Sequence, residues 1–175
     1  MGEDEHDDIG PLMRAKITSD PPSLDGDNLG KGQLMSGLPF SGELGMRLHG
    51  ASDGIAFLSV PYDTRLVGDP DTGVMHGGVI TALLDTACGA AVMAAPIEKT
   101  AKAGKLRATA TLDLRIDYMR PATPGQVVIA RAECYRLTRA VGFARAVAYH
   151  DKPDAPIASA AGAFILERAK PEGRK

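Results

Sequence analysis

An α+β domain is predicted, with one curved antiparallel sheet wrapped around a single long helix. Three observations predict it. The run from Val79 to Ala95 carries a single charged side chain, Asp85, and ends at Pro96, which marks a helix starting at Gly77 or Gly78. The second half of the chain reads as four strands with short connections, an antiparallel meander. Many positions expected to face inward on those strands are small (Ala130, Ala132, Ala146, Ala148, Ala158, Ala160 and Gly162), which lets a sheet curl closely around a helix.

Taken in order, residues 1 to about 35 form an acidic arm with Glu3, Asp4, Glu5, Asp7 and Asp8 followed by Pro21 and Pro22. Clustered charge and low hydrophobicity place it outside the core. Leu38 to Leu44 suits a short helix. A hairpin follows, with strands at about Met46–His49 and Ile55–Val60 around the turn Ser52-Asp53-Gly54. Asp63 to Met75 reads as a loop, then comes the long helix, then an exposed connection with Lys99, Lys102 and Lys105.

The strongest strand signal is Thr109 to Tyr118. Ala110, Leu112, Leu114, Ile116 and Tyr118 alternate with Thr109, Thr111, Asp113, Arg115 and Asp117, so the second set, Thr111 included, is expected to point away from the helix. Further strands are expected at about Gln126–Leu137, Gly142–His150 and Ile157–Leu166. One domain spans residues 36–167, and 168–175 form a C-terminal tail. A helix that is apolar all round must be covered on every side, and one sheet covers only one, so a homodimer is expected. Whether dimers pair again into a tetramer stays open.

Composition narrows the function. With 175 residues, a formal charge of −2 and no block of Lys or Arg, the chain has no footprint for nucleic acid. Val79 to Ala95 is barely long enough to cross a bilayer and has a carboxylate near its middle, so no membrane insertion is expected. An acidic N-terminus is unlike a secretory signal, and Cys88 and Cys134 are expected as reduced thiols, which together point to the cytoplasm. His6, His49 and His150 are scattered, no metal spacing or cofactor motif occurs, and neither a G-x-S-x-G elbow nor a phosphate loop is present.

The chemistry concentrates at His76 to Asp85. Gly77 and Gly78 fall where free N–H groups point outward at a helix start, and such groups can hold a developing oxyanion. The same pair also suits a simple tight turn. His76 can fix that turn through its side chain. A carboxylate inside an apolar helix is expensive unless paired or used, and Asp85 can act as a general base or as a nucleophile. Asp85 lies two helical turns beyond Gly78, roughly 10 Å along the axis, too far for both to grip one carbonyl. Two antiparallel helices across a dimer would bring Asp85 of one chain toward Gly77 of the other.

The run Gly73-Val74-Met75-His76-Gly77-Gly78 followed by Leu83-Leu84-Asp85-Thr86-Ala87 resembles the signature of hot-dog-fold acyl-CoA thioesterases of the phenylacetate-pathway (PaaI-like) type. Asp117-Tyr118-Met119-Arg120-Pro121-Ala122 is similar to that family's motif at the end of the next strand. The likeness covers about residues 36–167. It implies a cofactor-free thioester hydrolase in which Asp85 is the catalytic carboxylate, the Gly77 N–H polarises the carbonyl and His76 supports the turn. Thr111 matches a position that helps place the water or the carboxylate from the neighbouring subunit.

On this reading acyl-CoA is the substrate. Its acyl group would lie beside the helix near Gly78, Leu83, Leu84 and Met93, and its phosphates would meet surface cations among Arg136, Arg139, Arg145 and Lys105. One departure stands out. Related enzymes often carry Asn or Gln six residues before the His, where this chain has Pro70, and neither neighbour, Asp69 or Asp71, is an amide. A binding or sensing protein that has lost turnover is therefore the alternative, and a hot-dog hydratase is a third reading whose motif order is not seen.

Overall fold

The computed structural model describes residues 33–35, 37–96 and 106–168. Most of the expected arm, the 98–105 connection with Lys105, and the tail beyond Arg168 lie outside the described residues.

The elements are β1 (Gln33–Leu34), α1 (Pro39–Glu43), β2 (Arg47–Ser52), β3 (Ile55–Val60), a 3-10 turn (Thr64–Leu66), β4 (Val67–Asp69), β5 (Val74–Met75), α2 (Gly77–Ala94), β6 (Leu106–Tyr118), β7 (Val128–Leu137), β8 (Val141–Tyr149) and β9 (Ala158–Arg168). A seven-stranded antiparallel sheet runs in the order β1-β2-β3-β7-β8-β9-β6. The β2–β3 hairpin closes through Asp53 and Gly54, both at positive φ (51° and 80°), as a two-residue hairpin turn requires.

The expected four-strand meander forms only in part. Strands β7, β8 and β9 form a meander, but β6 does not precede β7 in it. β6 lies beyond β9 at the sheet edge, and β3 takes the place beside β7. The 119–127 connection is long enough to cross the end of the sheet. In this order α2, which links β3 to β6, packs against β3, β7, β8 and β9 as well as β6.

That packing explains the small residues. Ala130, Ala132, Ala146, Ala148, Ala158 and Ala160 are all buried against α2. A side chain at Gly142 would overlap that of Val92 on α2, and one at Gly162 would lie 2.5 Å from the Asp113 carbonyl oxygen. Leu83, Leu84, Ala87, Cys88, Ala91 and Val92 form the sheet-facing side of the helix, fully buried. The helix is not apolar all round, however. Gly78, Thr81, Ala82, Asp85, Gly89 and Met93 make up a more open side of small and polar residues.

The regular alternation expected for β6 also fails, at one residue. The register steps from Thr111↔Phe164 to Asp113↔Ala163, so Leu112 is an extra residue in a β-bulge. Beyond the bulge Leu114 and Ile116 pack on the core as expected. Before it, parity is reversed: Ala110 is exposed, and Thr109 and Thr111 pair with the buried Leu166 and Phe164 and face α2. Leu112 itself is 58% exposed.

Candidate active site

The loop before α2 is shaped to deliver His76. The short β4–β5 ladder folds it back, and the His76 N–H donates to the Leu66 carbonyl at 2.8 Å. His76 is the N-cap of α2, its Nδ1 accepting the Gly78 N–H at 2.9 Å while its carbonyl accepts from the Val79 N–H. The space is tight at Gly78 and close at Gly77. A Cβ on Gly78 would stand 2.9 Å from His76 Nδ1, and one on Gly77 3.3 Å from the Tyr118 hydroxyl. His76 thus takes the turn-fixing position expected of it. The Gly77 N–H donates no hydrogen bond among the described residues.

Asp85 lies on the open side of α2, half-buried, so its desolvation is smaller than that of a carboxylate sealed in a core. The Thr111 hydroxyl donates to Asp85 Oδ1 at 2.7 Å within the same chain. This corrects the placement of Thr111 away from its own helix, and the bulge at Leu112 is the reason. Asp85 and Gly77 are eight residues apart on one helix, about 12 Å along its axis. A single chain therefore carries a carboxylate with its hydroxyl partner and, separately, a helix-start donor.

A groove of about 400 Å³ adjoins the helix start, lined by Phe40, Leu44, Leu66, Val67 and Val79 together with His76, Gly78 and Arg65. Gly78 belongs to it, but Leu84 does not. Leu83 and Leu84 are 0% exposed and belong to the core, which corrects their assignment to an acyl pocket. Sequence reasoning passed over Phe40, which stands 68% exposed in the short α1.

The structure does not gather the proposed phosphate-binding cations around Asp85. Arg136 and Arg139 lie in the β7–β8 hairpin, whose Gly142 packs on Val92 near the C-terminal end of α2, two helical turns and about 10 Å beyond Asp85. Arg145 bonds Glu133 at 3.2 Å. Arg145 and Glu133 line a second cavity of about 430 Å³, together with Arg115, Arg131, Tyr135 and Ser159 among others.

Asp69, next to Pro70, is committed to its own loop. It accepts from Thr72 Oγ1 at 2.6 Å and from the Asp71 N–H at 3.1 Å, and these bonds hold its carboxyl below the usual range. Cys88 and Cys134 are free thiols, as expected, and burial pushes Cys88 up to about 12. Among the described residues no group of three or more His, Cys, Asp or Glu side chains could hold a metal ion.

The sequence pattern of the thioesterase superfamily matches residues 72–157, which span the helix start, Asp85 and β6 to β8. The medium/long-chain acyl-CoA thioesterase YigI of Escherichia coli K12 is 31% identical over 135 residues, covering 74% of this chain and 86% of that protein. The chain belongs to the thioesterase superfamily. A Halobacterium salinarum relative is 39% identical over 102 residues, 58% of this chain and 63% of its own length. Among solved structures, a Pseudomonas aeruginosa protein superposes with a TM-score of 0.64 at 39% identity, covering 79% of this chain and 96% of that one. A mutant of the phenylacetic acid degradation protein PaaI from Thermus thermophilus gives 0.59 at 26%, covering 73% and 97%. The domain is a hot-dog fold of the thioesterase superfamily, and α2 is its central helix. By length and composition alone that helix could cross a membrane, but here it is the helix on which the sheet packs.

Proposed function

We propose that this thioesterase-superfamily protein is a cytoplasmic acyl-CoA thioesterase, acting through side chains and backbone alone at a site shared between two subunits. The observation that carries the reading is the Asp85 carboxylate held by Thr111 on the open side of α2. In the proposed reaction Asp85 takes a proton from a water that attacks the thioester carbonyl, or attacks that carbonyl itself. The Gly77 N–H of the partner subunit receives the oxyanion. On the general-base route, collapse of the tetrahedral adduct breaks the C–S bond and CoA leaves as the thiol, with the proton Asp85 took from the water. On the nucleophilic route, collapse leaves an Asp85–acyl anhydride and CoA thiolate. A water then hydrolyses the anhydride, restoring Asp85 and giving its proton to the thiolate. The acyl group occupies the apolar groove at Phe40, Leu44, Leu66 and Val79. The Escherichia coli relative's name puts medium- and long-chain thioesters first among candidates.

Two features support a shared site. The roughly 12 Å between Gly77 and Asp85 along one helix keeps them from gripping the same carbonyl. Among the described residues β6 is paired on one side only, a thirteen-residue sheet edge near which Leu112, Tyr118, Met119 and Ile165 are exposed. Such an edge is suited to pairing with a second copy. Light scattering is expected to give at least a dimer.

The deciding experiment is a panel of acyl-CoAs with a thiol reagent, on wild-type protein and Asp85→Asn. CoA release that falls at least a hundredfold in the variant supports the reading. The non-catalytic alternative draws on the loop at Pro70, where no amide is present and Asp69 is engaged by Thr72. Tight acyl-CoA binding with no CoA release, unchanged by Asp85→Asn, would establish it instead.

A further inference from the structure

We propose that Tyr118 is a positioning residue that locks the helix-start peptide and so aims the Gly77 N–H; its catalytic consequence rests on the thioesterase reading. The Tyr118 hydroxyl donates to the Gly77 carbonyl at 2.7 Å and lies 2.6 Å from Thr81 Oγ1. Each hydroxyl has one proton. With the Tyr118 proton on Gly77, the Thr81 proton goes to the Tyr118 oxygen in preference to the Gly77 carbonyl at 3.2 Å. The result is a directed chain, Thr81 to Tyr118 to Gly77, whose members polarise one another.

This chain grips the carbonyl end of the Gly77–Gly78 peptide. The N–H end of that peptide is already held by His76 Nδ1 at 2.9 Å. The peptide before it is fixed through the Val79 N–H on the His76 carbonyl, at 2.9 Å. Adjacent glycines are otherwise the most mobile backbone available. Clamped from both sides, Gly77 keeps its unused N–H in one direction. A Cβ on Gly77 would sit 3.3 to 3.5 Å from the Tyr118 hydroxyl and ring, so a side chain there would ask the hydroxyl to give by a few tenths of an ångström.

Thr111 and Tyr118 are seven residues apart and would face opposite sides of a regular strand. The bulge at Leu112 turns both toward α2. One strand therefore holds the carboxylate at one end and the donor at the other.

Tyr118→Phe removes the hydroxyl and keeps the ring. The expected result is a kcat about tenfold lower, less than removal of an oxyanion donor costs, with KM within twofold and an unchanged melting temperature. In ¹⁵N relaxation the Gly77 amide order parameter is expected to fall from about 0.85 toward 0.6. Thr81→Val, which cuts the first link of the chain, should give a smaller fall, and no further one on top of Tyr118→Phe. An unchanged order parameter, or a lower one with full kcat, overturns the proposal. If the wild-type protein releases CoA from no acyl-CoA, the thioesterase reading fails by itself. The lock is then judged on the Gly77 amide alone: a fall supports it and no change overturns it.

Discussion

Replacing Thr111 with Val removes a hydroxyl from Asp85 and little else. Valine keeps the β-branch and the volume, and Thr111 is exposed, so the fold should lose no more than about 0.5 kcal/mol. What disappears is the 2.7 Å bond to Asp85 Oδ1. A hydrogen bond to a charged acceptor contributes about 1.5–3 kcal/mol, and the exposure of this pair argues for the lower end. If the bond holds the carboxylate in its reactive orientation, losing about 1.5 kcal/mol from the transition state lowers kcat roughly tenfold. Steady-state kinetics with the best acyl-CoA of the panel read this directly. Thr111→Ser, which restores the donor, should recover most of the rate. In a double-mutant cycle with Asp85→Asn, Thr111→Val should add nothing, because its partner has changed. A Thr111→Val enzyme within twofold of wild type, or one whose defect adds fully to that of Asp85→Asn, would refute the idea that the two side chains act as a unit.

Other expectations follow from packing and burial. Gly142→Ala drives a methyl into Val92 and should cost about 1–3 kcal/mol, seen as a melting temperature roughly 3–10 °C lower, whereas Gly50→Ala, with nothing within 4 Å, should change little. Leu84→Ala should cost about 2–5 kcal/mol without altering acyl-chain preference, whereas Phe40→Ala should alter chain preference with little effect on stability, because Leu84 is buried and Phe40 is exposed in the groove. Cys88 provides a pH test. Burial first, then the charge of Asp85, raises its thiol from 9.0 to about 12. Above pH 9 the unfolded thiol loses its proton and the folded one keeps it, so this group's contribution to stability falls as pH rises toward about 12, by up to ~1.4 kcal/mol per pH unit. Denaturant titrations at pH 8 and 10 should show a smaller decline in Cys88→Ala than in the wild type.

Much of the fold was legible because it rests on local rules. Pro96 ended α2, with Ala95 extended before it as residues preceding proline are. Asp53-Gly54 made the hairpin turn, and the alanines of β7 to β9 marked the face on the helix. The position of β6 was not legible. Strand order depends on which edges meet after the chain crosses the sheet, and no local pattern encodes it. The bulge at Leu112 was hidden for a related reason: a period-two pattern with polar and apolar residues in the right places looks the same whether or not one residue is extra. That single residue decides whether Thr111 faces solvent or Asp85. The groove at Phe40 and Leu66 joins segments far apart in sequence, so nothing in either one announced it.

The division is physical. Helix, turns, inward alanines and the roles open to His76, Gly77 and Asp85 follow from residue chemistry over a few neighbouring positions, and the chain carries that information directly. Which strand lies at the edge, which face Thr111 takes and what holds Gly77 depend on register between distant strands. Register is set by the packing of the sheet on α2, a property of the assembled fold.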